Sequence, residues 1–300
     1  MKILIIGSKG FIGTHATQFF KKRNYDVIGC DVVTEYNDKN YFQIDATNSS
    51  YHSLFENNQV DVCINCSGAA SVPLSIKFPL KDFTLNTLNV FKILEAIRTN
   101  QTNCKFINLS SAAVYGNPAS LPILEKADLN PLSPYGLHKL QAEQICKEFY
   151  EYYQLKTCSV RIFSAYGNGL KKQLLWDLFN KFKTQPIVEL FGTGQETRDF
   201  IHIEDVLQAL DLILKKASFA GEPINLANGA AYSIAYIAEL YKKYLGSSKE
   251  IVFNQQLKEG DPLHWRASII QIESMGYVKS KTIEEGIKEY INWAAELDID

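Results

Sequence analysis

Residues 2–13 read Lys2-Ile3-Leu4-Ile5-Ile6-Gly7-Ser8-Lys9-Gly10-Phe11-Ile12-Gly13, an apolar run that leads directly into a turn with three glycines. The apolar run is typical of a strand buried in a parallel sheet. The glycines allow the backbone to turn tightly, to approach a pyrophosphate and to pack a helix on the strand. The first turn of that helix offers unpaired N–H groups to phosphate oxygens. The stretch therefore predicts a dinucleotide-binding turn, although an ordinary tight turn can have the same glycines.

A carboxylate follows the second apolar strand, where a dinucleotide site requires one. Residues 25–30 form that strand and Asp31 ends it, about 20 residues beyond the glycine turn. A carboxylate at this place accepts hydrogen bonds from an adenosine ribose. It would repel a 2′-phosphate, so Asp31 favours NAD over NADP. Lys9, inside the glycine turn, is the one basic residue that favours NADP.

A tyrosine and a lysine four residues apart form the next pattern, Tyr135-Gly136-Leu137-His138-Lys139, in a segment of helix-forming composition over 134–153. Residues four apart share a helix face, so the phenol and the ammonium point into the same space. A free tyrosine has a pKa near ~10, and a nearby cation lowers that value. We therefore expect Lys139 to lower the pKa of Tyr135. A chance pair on a surface helix is the alternative.

Ser111 ends the apolar stretch 105–110, so its hydroxyl is expected at the carboxyl end of a strand, the edge where such sheets bind ligands. With the glycine turn and Asp31, this hydroxyl favours a catalytic site over a chance pair. Such a site would move a hydride and a proton to or from a carbinol carbon. The predicted catalytic residues are Ser111, Tyr135 and Lys139.

Strand-like and helix-like segments alternate through residues 1–165, which predicts an α/β fold with a doubly wound parallel sheet. The expected strands are 2–6, 25–30, 60–66, 104–110 and 157–163, and the expected helices are 11–23, 50–58, 80–99 and 134–153. Residues 166–300 are expected to form a smaller C-terminal substrate-binding lobe with helices at 171–182 and 233–245. Part of this region, 199–228, is expected to return to the main sheet. The acidic end, 296–300, is expected to fray.

Composition sets the remaining limits. The chain has 300 residues, 46% of them apolar, and a net charge of −2, which gives no sign of a nucleic-acid or membrane partner. No apolar run approaches the ~18 residues of a spanning helix, and the glycine turn follows the first strand too closely for a secretory leader, so we expect a cytoplasmic protein. The six cysteines fit reduced thiols, and the Cys63-Ile64-Asn65-Cys66 pair is expected to pack in the core. No histidine has metal-ligand spacing, so no metal is expected.

Ordered motifs run along nearly the whole chain: Gly7-x-x-Gly10-x-x-Gly13, Asp31, Asp45, Asn65-Cys66-Ser67-Gly68-Ala69, Asn86, Ser110-Ser111-Ala112-Ala113-Val114-Tyr115-Gly116, Tyr135-x-x-x-Lys139, Arg161-Ile162-Phe163 and Arg198-Asp199-Phe200-Ile201-His202-Ile203-Glu204-Asp205-Val206. In these motifs the sequence resembles the extended short-chain dehydrogenase/reductases, and within them the nucleotide-sugar epimerases and dehydratases. The resemblance implies a Rossmann fold, bound NAD, and a homodimer formed through helices 79–98 and 134–153.

The resemblance also implies roles for individual residues. Tyr135 would be the general acid/base, Lys139 would bind the nicotinamide ribose, and Ser111 would bind the reacting sugar oxygen. Asp45 would lie near the adenine, although a helix-capping role is equally open. The implied cofactor-binding residues are Gly7, Gly10, Phe11, Ile12, Gly13, Asp31, Asp45, Ala46, Ser67, Gly68, Asn86, Tyr135 and Lys139, with Asn86 supporting the strand–helix junction of the active site.

The residues after Ser111 discriminate within the family. The 4,6-dehydratases have an Asp-Glu pair there because the elimination of water needs a second acid and base, and the decarboxylating members have a glutamate at the second position. Here Ala112 and Ala113 occupy these places, which favours a nucleotide-sugar 4-epimerase. A reductase of 4-keto-6-deoxy nucleotide sugars that consumes NAD(P)H is the alternative. A non-catalytic protein that only senses the dinucleotide is a third possibility.

Candidate substrate residues depart in part from the family pattern. Ser164 replaces the asparagine of an Arg-x-Phe-Asn motif, and Lys258 replaces the arginine of an Arg-x-Gly-Asp-Pro motif. Arg198 is expected to bind the diphosphate, with an ion pair to Asp199 or Glu204 as the alternative. The proposed substrate residues are therefore Ser111, Tyr135, Ser164, Arg198 and Lys258. His138 is expected on the surface, and Tyr115 is expected either to contact substrate or to pack.

Overall fold

A seven-stranded parallel sheet forms the centre of the computed structural model, which describes residues 1–297. The strands of the described chain are β1 (Lys2–Ile6), β2 (Asp26–Asp31), β3 (Tyr41–Gln43), β4 (Val62–Asn65), β5 (Lys105–Ser111), β6 (Thr157–Ile162), β7 (Ser164–Tyr166), β8 (Ile187–Leu190), β9 (Thr197–His202), β10 (Ala220–Leu226), β11 (Ala231–Ser233) and β12 (Glu250–Phe253). Of the acidic end expected to fray, 296–300, residue 296 ends the last helix and residues 298–300 lie outside the described residues.

The helices of the described chain cover both faces of this sheet and build a second region. They are α1 (Phe11–Lys22), α2 (His52–Glu56), α3 (Val72–Lys77), α4 (Pro79–Phe83), α5 (Asn89–Asn100), α6 (Pro134–Tyr153), α7 (Gln173–Thr184), α8 (Ile203–Lys216), α9 (Ile234–Tyr244), α10 (Ile270–Ser274) and α11 (Ile283–Glu296). A π-helical turn, Thr84–Leu88, joins α4 to α5, and a 3₁₀ turn, Ala112–Val114, follows β5. None of the helices in residues 1–297 is both long enough and apolar enough to cross a bilayer.

The strand order of the main sheet is β10-β6-β5-β4-β1-β2-β3, and every neighbouring pair is parallel. Parallel neighbours need crossover connections, which helices provide on the two faces. The chain winds outward from β1 in one direction through β2 and in the other through β4. The α/β prediction of a doubly wound parallel sheet is therefore confirmed. In such sheets the crevice at the carboxyl ends of the strands, where the winding direction reverses, is the usual ligand site.

Alternate residues of the strands enter two separate apolar layers. On one face, Ile3 and Ile5 of β1 pack with residues of α1 and α8, including Phe20 and Leu210. On the other face, Leu4 and Ile6 pack with residues of α2, α5 and α6. Because helices cover both faces, the strands are almost continuously apolar, which is why the first twelve residues predict this arrangement.

Residues beyond β6 form a second region beside the main sheet. Strands β11-β9-β7 make a small sheet, β12 and β8 pair with each other, and helices α7, α9 and α11 enclose a core that contains Phe179, Tyr241 and Tyr290. The chain returns to the main sheet at β10, which pairs with β6.

Two helical segments differ from the sequence expectation. The single helix expected at 80–99 is divided into α4, the π turn and α5, and the helix expected at 50–58 is shortened to α2. Helix α3 was not expected at all. Amphipathic spacing indicates that a segment is helical, but it does not distinguish α from π hydrogen bonding, so the π turn was not predictable.

Candidate active site

The first turn of α6 is held in place by contacts that fix Tyr135. Ser133 caps the helix by accepting a hydrogen bond from the Gly136 N–H, and the Tyr135 N–H donates to Ser75 Oγ at 3.1 Å. Gly136 lies against the turn after β5, where an added methyl group would be 2.6 Å from the Ala113 carbonyl oxygen. Only glycine allows this approach. As a result, α6 begins directly beside the end of β5.

The Tyr135 and Ser111 side chains meet at this junction. Burial raises the pKa of Tyr135 above its ordinary value, and a hydrogen bond from Ser111 acts in the opposite direction. Ser111 is half-buried, and its hydroxyl oxygen also accepts from the Ala113 N–H at 3.1 Å. The structure therefore brings together the phenol and the hydroxyl, as the sequence predicts.

Lys139 lies on the same face of α6, but its effect on Tyr135 differs from the expectation. The side chain is buried, 6% exposed, and its ammonium donates to the Leu109 carbonyl oxygen at 2.9 Å. Burial lowers the pKa of Lys139 to about 8, against the carboxylates of Asp82 and Glu143. The expected net decrease in the pKa of Tyr135 is wrong for this structure, because burial of the phenol outweighs any stabilisation of the phenolate.

The glycine turn has the close contacts that a dinucleotide site needs. Gly7 has a φ of +80°, and a methyl group there would lie 2.6 Å from the Ser67 nitrogen. A methyl group on Gly13 would lie 2.0 Å from the Gly7 carbonyl oxygen, so α1 packs on β1 only with glycine at this position. A methyl group on Gly10 would come near only that same oxygen, at 3.3 Å. Gly10 thus leaves open space in front of the turn.

The N-terminus of α1 is free to bind an anion. No side chain caps it, no acidic residue lies in its first turn, and Phe11 and Ile12, the first two residues, are half-buried. The first N–H groups of a helix have no partner within the helix. With the glycine contacts, these groups fit a pyrophosphate.

The carboxylate that the sequence predicts for the ribose is held by the backbone. Asp31 accepts hydrogen bonds from the Lys9 N–H at 2.8 Å and from the Val32 N–H at 2.7 Å. The Lys9 ammonium pairs with Glu35 at 2.7 Å. This ion pair occupies the one basic side chain that would favour a 2′-phosphate.

Asp45 does not cap a helix. Its carboxylate accepts from the N–H and the hydroxyl of Thr47, both at 2.7 Å, whereas α2 begins only at His52. The helix-cap alternative is therefore wrong. Asp45 and Ala46 are both exposed just beyond the end of β3. Because β2 and β3 are parallel, they lie at the same carboxyl edge of the sheet as Asp31.

The end of β4 meets Lys139 through Ser67, Gly68 and Asn86. Asn65 Oδ1 accepts from the Ser67 N–H and hydroxyl, and Asn86 Oδ1 accepts from the Ala69 N–H at 3.2 Å. A methyl group on Gly68 would lie 2.5 Å from Asn86 Oδ1 and 3.4 Å from Lys139 Nζ. Asn86 belongs to the π turn, so this turn supports the junction between β4 and the lysine.

A buried ion pair stabilises the floor of the site. Arg161 on β6 pairs with Glu143 on α6 at 2.7 Å, and Glu143 also accepts from Ser110 Oγ at 2.5 Å. Tyr115 donates to Asn225 at 2.7 Å and is fully buried. Of the two expectations for Tyr115, packing is therefore correct.

Arg198 contacts neither of the carboxylates considered as its alternative partners. Asp199 accepts from the backbone N–H groups of Asn228 and Ala267, and Glu204 pairs with Lys281 at 3.1 Å. The Arg198 guanidinium, with 13% of its side chain exposed, lies 3.8 Å from Asp261. Its Nη1 donates to the carbonyl oxygens of Thr197 at 2.9 Å and Leu263 at 3.4 Å. Nη2, which makes the long contact with Asp261, is the nitrogen best placed to bind an anion.

The other two predicted substrate residues lie on different elements. Ser164 begins β7 opposite Phe200 of β9, so it lies on the strand adjacent to Arg198. Lys258 is exposed in the loop after β12. The same loop approaches the start of α6, since a methyl group on Gly260 would lie 3.3 Å from Cβ of Ser133, the cap of that helix. Thus the loop of Lys258 lies next to the start of α6, the helix that carries Tyr135.

His138 is buried, so the expected surface position is wrong. It is 8% exposed, and its Nδ1 donates to Asp82 Oδ2 at 2.6 Å. Sequence reasoning missed Asp82, because nothing in the spacing between α4 and α6 indicates that these two side chains meet. Among residues 1–297, no group of three or more His, Cys, Asp or Glu side chains could hold a metal ion.

Comparison with known proteins agrees with this geometry. Residues 3–227 match the model of the NAD dependent epimerase/dehydratase family. The chain belongs to this family. Its members are enzymes with NAD as their cofactor, and the open glycine turn, the uncapped start of α1 and Asp31 fit that cofactor.

Its relatives in the family include proteins named as nucleotide-sugar 4-epimerases. A putative UDP-glucose 4-epimerase of Methanocaldococcus jannaschii is 29% identical over 97% of each chain. A UDP-glucuronate 4-epimerase of Thermodesulfobacterium geofontis is 26% identical over 98% of this chain and 96% of its own length. The crystal structure of UDP-glucuronic acid 4-epimerase from Bacillus cereus, in complex with UDP-glucuronic acid and NAD, aligns with a TM-score of 0.89 at 25% identity over 99% of this chain and all of that one.

Proposed function

We propose that the protein is an NAD-dependent nucleotide-sugar 4-epimerase. The observation that carries this proposal is the approach of the Tyr135 phenol to Ser111 at the carboxyl end of β5, followed by Ala112 and Ala113 rather than by a second acid and base. Such a site can oxidise and reduce one carbon, but it has no group to eliminate water. The 4-epimerase relatives support the same reaction.

Tyr135 is the acid/base of the proposed reaction. Its phenolate removes the proton of the C4 hydroxyl while the C4 hydride leaves, and the phenol returns a proton when hydride adds to the other face of the 4-keto sugar. NAD, when bound, supplies the hydride acceptor and then the donor. Ser111 donates a hydrogen bond to the tyrosine oxygen, which stabilises the phenolate. Lys139 binds the ribose from the position that its bond to Leu109 defines.

The cofactor is proposed to extend along the carboxyl edge of the main sheet. Its pyrophosphate would bind Gly10, Phe11 and Ile12 between Gly7 and Gly13, and Asp31 would bind the adenosine ribose. Asp45 and Ala46 would lie at the adenine, and Ser67, Gly68 and Asn86 at the nicotinamide half. The carboxylates of Asp31 and Glu35 favour NAD over NADP, because Lys9 is already paired.

The substrate is proposed to bind between the Rossmann domain, 1–165, and the lobe, 166–300. Arg198 would bind the diphosphate through Nη2, which has a long contact with Asp261, while Nη1 donates to the Thr197 carbonyl oxygen. Ser164 and the loop that carries Lys258 would complete the nucleotide side. The resulting cleft has substrate-specific groups on one side and the redox chemistry on the other.

Two further properties are part of the proposal. A homodimer through α4 to α6 is supported by large apolar side chains exposed on these helices, including Leu80, Phe91, Leu137 and Tyr152. A cytoplasmic location is supported by six cysteines that are all free thiols and mostly buried.

A panel of UDP-, GDP-, dTDP- and CDP-sugars tests the activity. Incubation with catalytic NAD should interconvert the C4 epimers of one or more of these sugars without a change in mass or in the NADH concentration. Steady consumption of NADH or NADPH with a 4-keto sugar, and no epimer formation, would contradict the epimerase and establish the reductase instead. A chain with no turnover on any sugar that still binds NAD would support the sensor.

A further inference from the structure

A buried, hydrogen-bonded histidine and carboxylate lie on the back of the turn of α6 that carries Tyr135. His138 follows Tyr135 by three residues and precedes Lys139 directly, so it belongs to the same turn of the helix. Its Nδ1 donates to Asp82 Oδ2 at 2.6 Å, and Asp82 is 3% exposed. The second oxygen of this carboxylate, Oδ1, is buried without a hydrogen-bond partner.

The imidazole is fixed from more than one direction. The Phe83 ring packs edge-on against it with the centroids 5.5 Å apart. The Thr87 hydroxyl, on the π turn, donates to the His138 carbonyl oxygen at 2.9 Å. Since the same turn carries Asn86, one set of contacts joins α4, the π turn and the catalytic helix.

The burial of the Asp82 carboxylate has a free-energy cost that its surroundings must offset. A buried, half-satisfied carboxylate costs free energy unless its charge is used or compensated. His138 satisfies one oxygen, and the nearest helical turn carries a phenol and an ammonium whose ionisation responds to a negative charge.

We propose that Asp82 and His138 are positioning residues: the pair orients the first turns of α6, and the Asp82 charge sets the ionisation of Tyr135 and Lys139. This inference rests on the proposed role of Tyr135. Neither residue is proposed to touch substrate or cofactor.

The signs of the effect follow from the charges. The Asp82 carboxylate raises the pKa of Tyr135, in addition to burial, and raises the pKa of Lys139 against burial. A phenolate and an ammonium are both required, so activity increases as Tyr135 loses its proton and decreases as Lys139 loses its own. Removal of the carboxylate charge should therefore move both limbs of the pH profile to lower pH.

Other titratable groups around this turn are few. Glu143 and Cys146 of α6 and Cys66 after β4 also act on Lys139. Lys77 of α3 is exposed, and the π turn has no titratable residue. Asp82 is the carboxylate that acts on both catalytic groups.

The test uses the full-length enzyme and the pH dependence of kcat/KM. Asp82→Asn retains an oxygen that can accept from His138 Nδ1–H, but it removes the charge. We expect both limbs to shift to lower pH by about half a unit or more. Glu151→Gln, which removes an exposed charge from the last turn of the same helix, should leave the profile unchanged.

A second pair of variants tests the orientation. His138→Gln keeps an N–H donor for Asp82 and should retain kcat within about threefold, whereas His138→Leu should lower kcat at least about tenfold with little change in the NAD dissociation constant. These variants keep the inference testable if Asp82→Asn does not fold.

The outcomes separate this inference from the proposed function. Suppose that Tyr135→Phe abolishes turnover, that Asp82→Asn leaves both limbs of the pH profile in place, and that His138→Leu and His138→Gln have the same kcat. The inference is then wrong, and the proposed epimerase site stands. If Tyr135→Phe keeps near-normal turnover, both are wrong. Matching shifts of both limbs, with an unchanged Glu151→Gln profile, support the inference.

Discussion

The carboxyl edge of the main sheet and the region around Arg198 differ in how tightly their side chains are fixed. At the sheet edge, Gly7, Gly13 and Gly136 are in contacts too close for any added atom, and Lys139 is buried with a defined acceptor. The Arg198 guanidinium has one 2.9 Å hydrogen bond to the Thr197 carbonyl oxygen, but its contact with Asp261 is 3.8 Å, and Lys258 is exposed. A buried residue can be substituted only if its packed neighbours are substituted as well, whereas an exposed residue can be substituted alone. The proposed redox site is therefore built into the packing, whereas the proposed substrate contacts involve side chains that are freer to vary.

The largest expected effect is at the acid/base. Tyr135→Phe should lower kcat about 10³-fold, because the proton of the sugar hydroxyl has no other acceptor at this position. NAD binding, measured by calorimetry, should remain within about threefold of the wild-type value, since the ring still fills the same space. A variant that loses NAD binding as severely as turnover would show that Tyr135 supports the fold rather than the chemistry.

Two glycine variants separate packing from ligand contact. Gly13→Ala should destabilise the fold by about 3 kcal/mol, because its methyl group would lie 2.0 Å from a backbone oxygen. Gly10→Ala would place its methyl group 3.3 Å from the Gly7 carbonyl oxygen, which a shift of a few tenths of an ångström relieves, and should change the free energy of unfolding by about 1 kcal/mol at most. It should nevertheless raise the NAD dissociation constant at least about tenfold, since the methyl group would project into the proposed pyrophosphate site. Urea unfolding and calorimetry of both variants would measure this; equal effects on stability would remove the distinction.

Burial of the Lys139 ammonium is expected to lower the stability of the fold. Burial lowers the pKa of Lys139 from 10.5 to about 8. Below pH 8 this shift corresponds to a decrease of about 3 kcal/mol in the free energy of unfolding. Lys139→Met should therefore be inactive yet more stable by about 2 kcal/mol at pH 7, after the loss of the bond to Leu109.

The pH dependence of that difference has a definite sign. Between pH 8 and 10.5 the folded wild type binds fewer protons than the unfolded chain, so the wild type gains stability as the pH rises. The advantage of the methionine variant should shrink through this window, as measured by urea unfolding at pH 7, 9 and 10. An advantage that grows with pH would contradict the burial argument.

The smallest effects are expected in the second region. Arg198→Ala should raise KM for the nucleotide sugar about 20-fold with a smaller change in kcat, because a diphosphate would lose a charged hydrogen-bond donor. Lys258→Ala, an exposed neighbour, should raise KM only about threefold. Steady-state kinetics with the preferred sugar would measure both. A larger effect for Lys258 than for Arg198 would indicate that the exposed loop closes over the substrate.

Local sequence patterns could be predicted, whereas contacts between residues distant in the chain could not. The glycine turn, Asp31 and the Tyr135–Lys139 spacing are local patterns, and the family motifs around them are read directly from the sequence. Asp82 and His138 are far apart in the chain, and they meet only because α4 packs against α6. The sign of the pKa shift of Tyr135 was also out of reach, since it depends on how deeply packing buries the phenol.

The sequence by itself determined the winding of the sheet, and it supplied the proposed cofactor turn and the proposed catalytic side chains, because hydrophobic period, glycine positions and residue chemistry are properties of short segments. Tertiary structure alone decided the π turn that brings Asn86 to Lys139, the burial of His138 on Asp82 and the long contact between Arg198 and Asp261. Each of these joins residues distant in sequence, and their energies depend on burial, which exists only after the layers have packed.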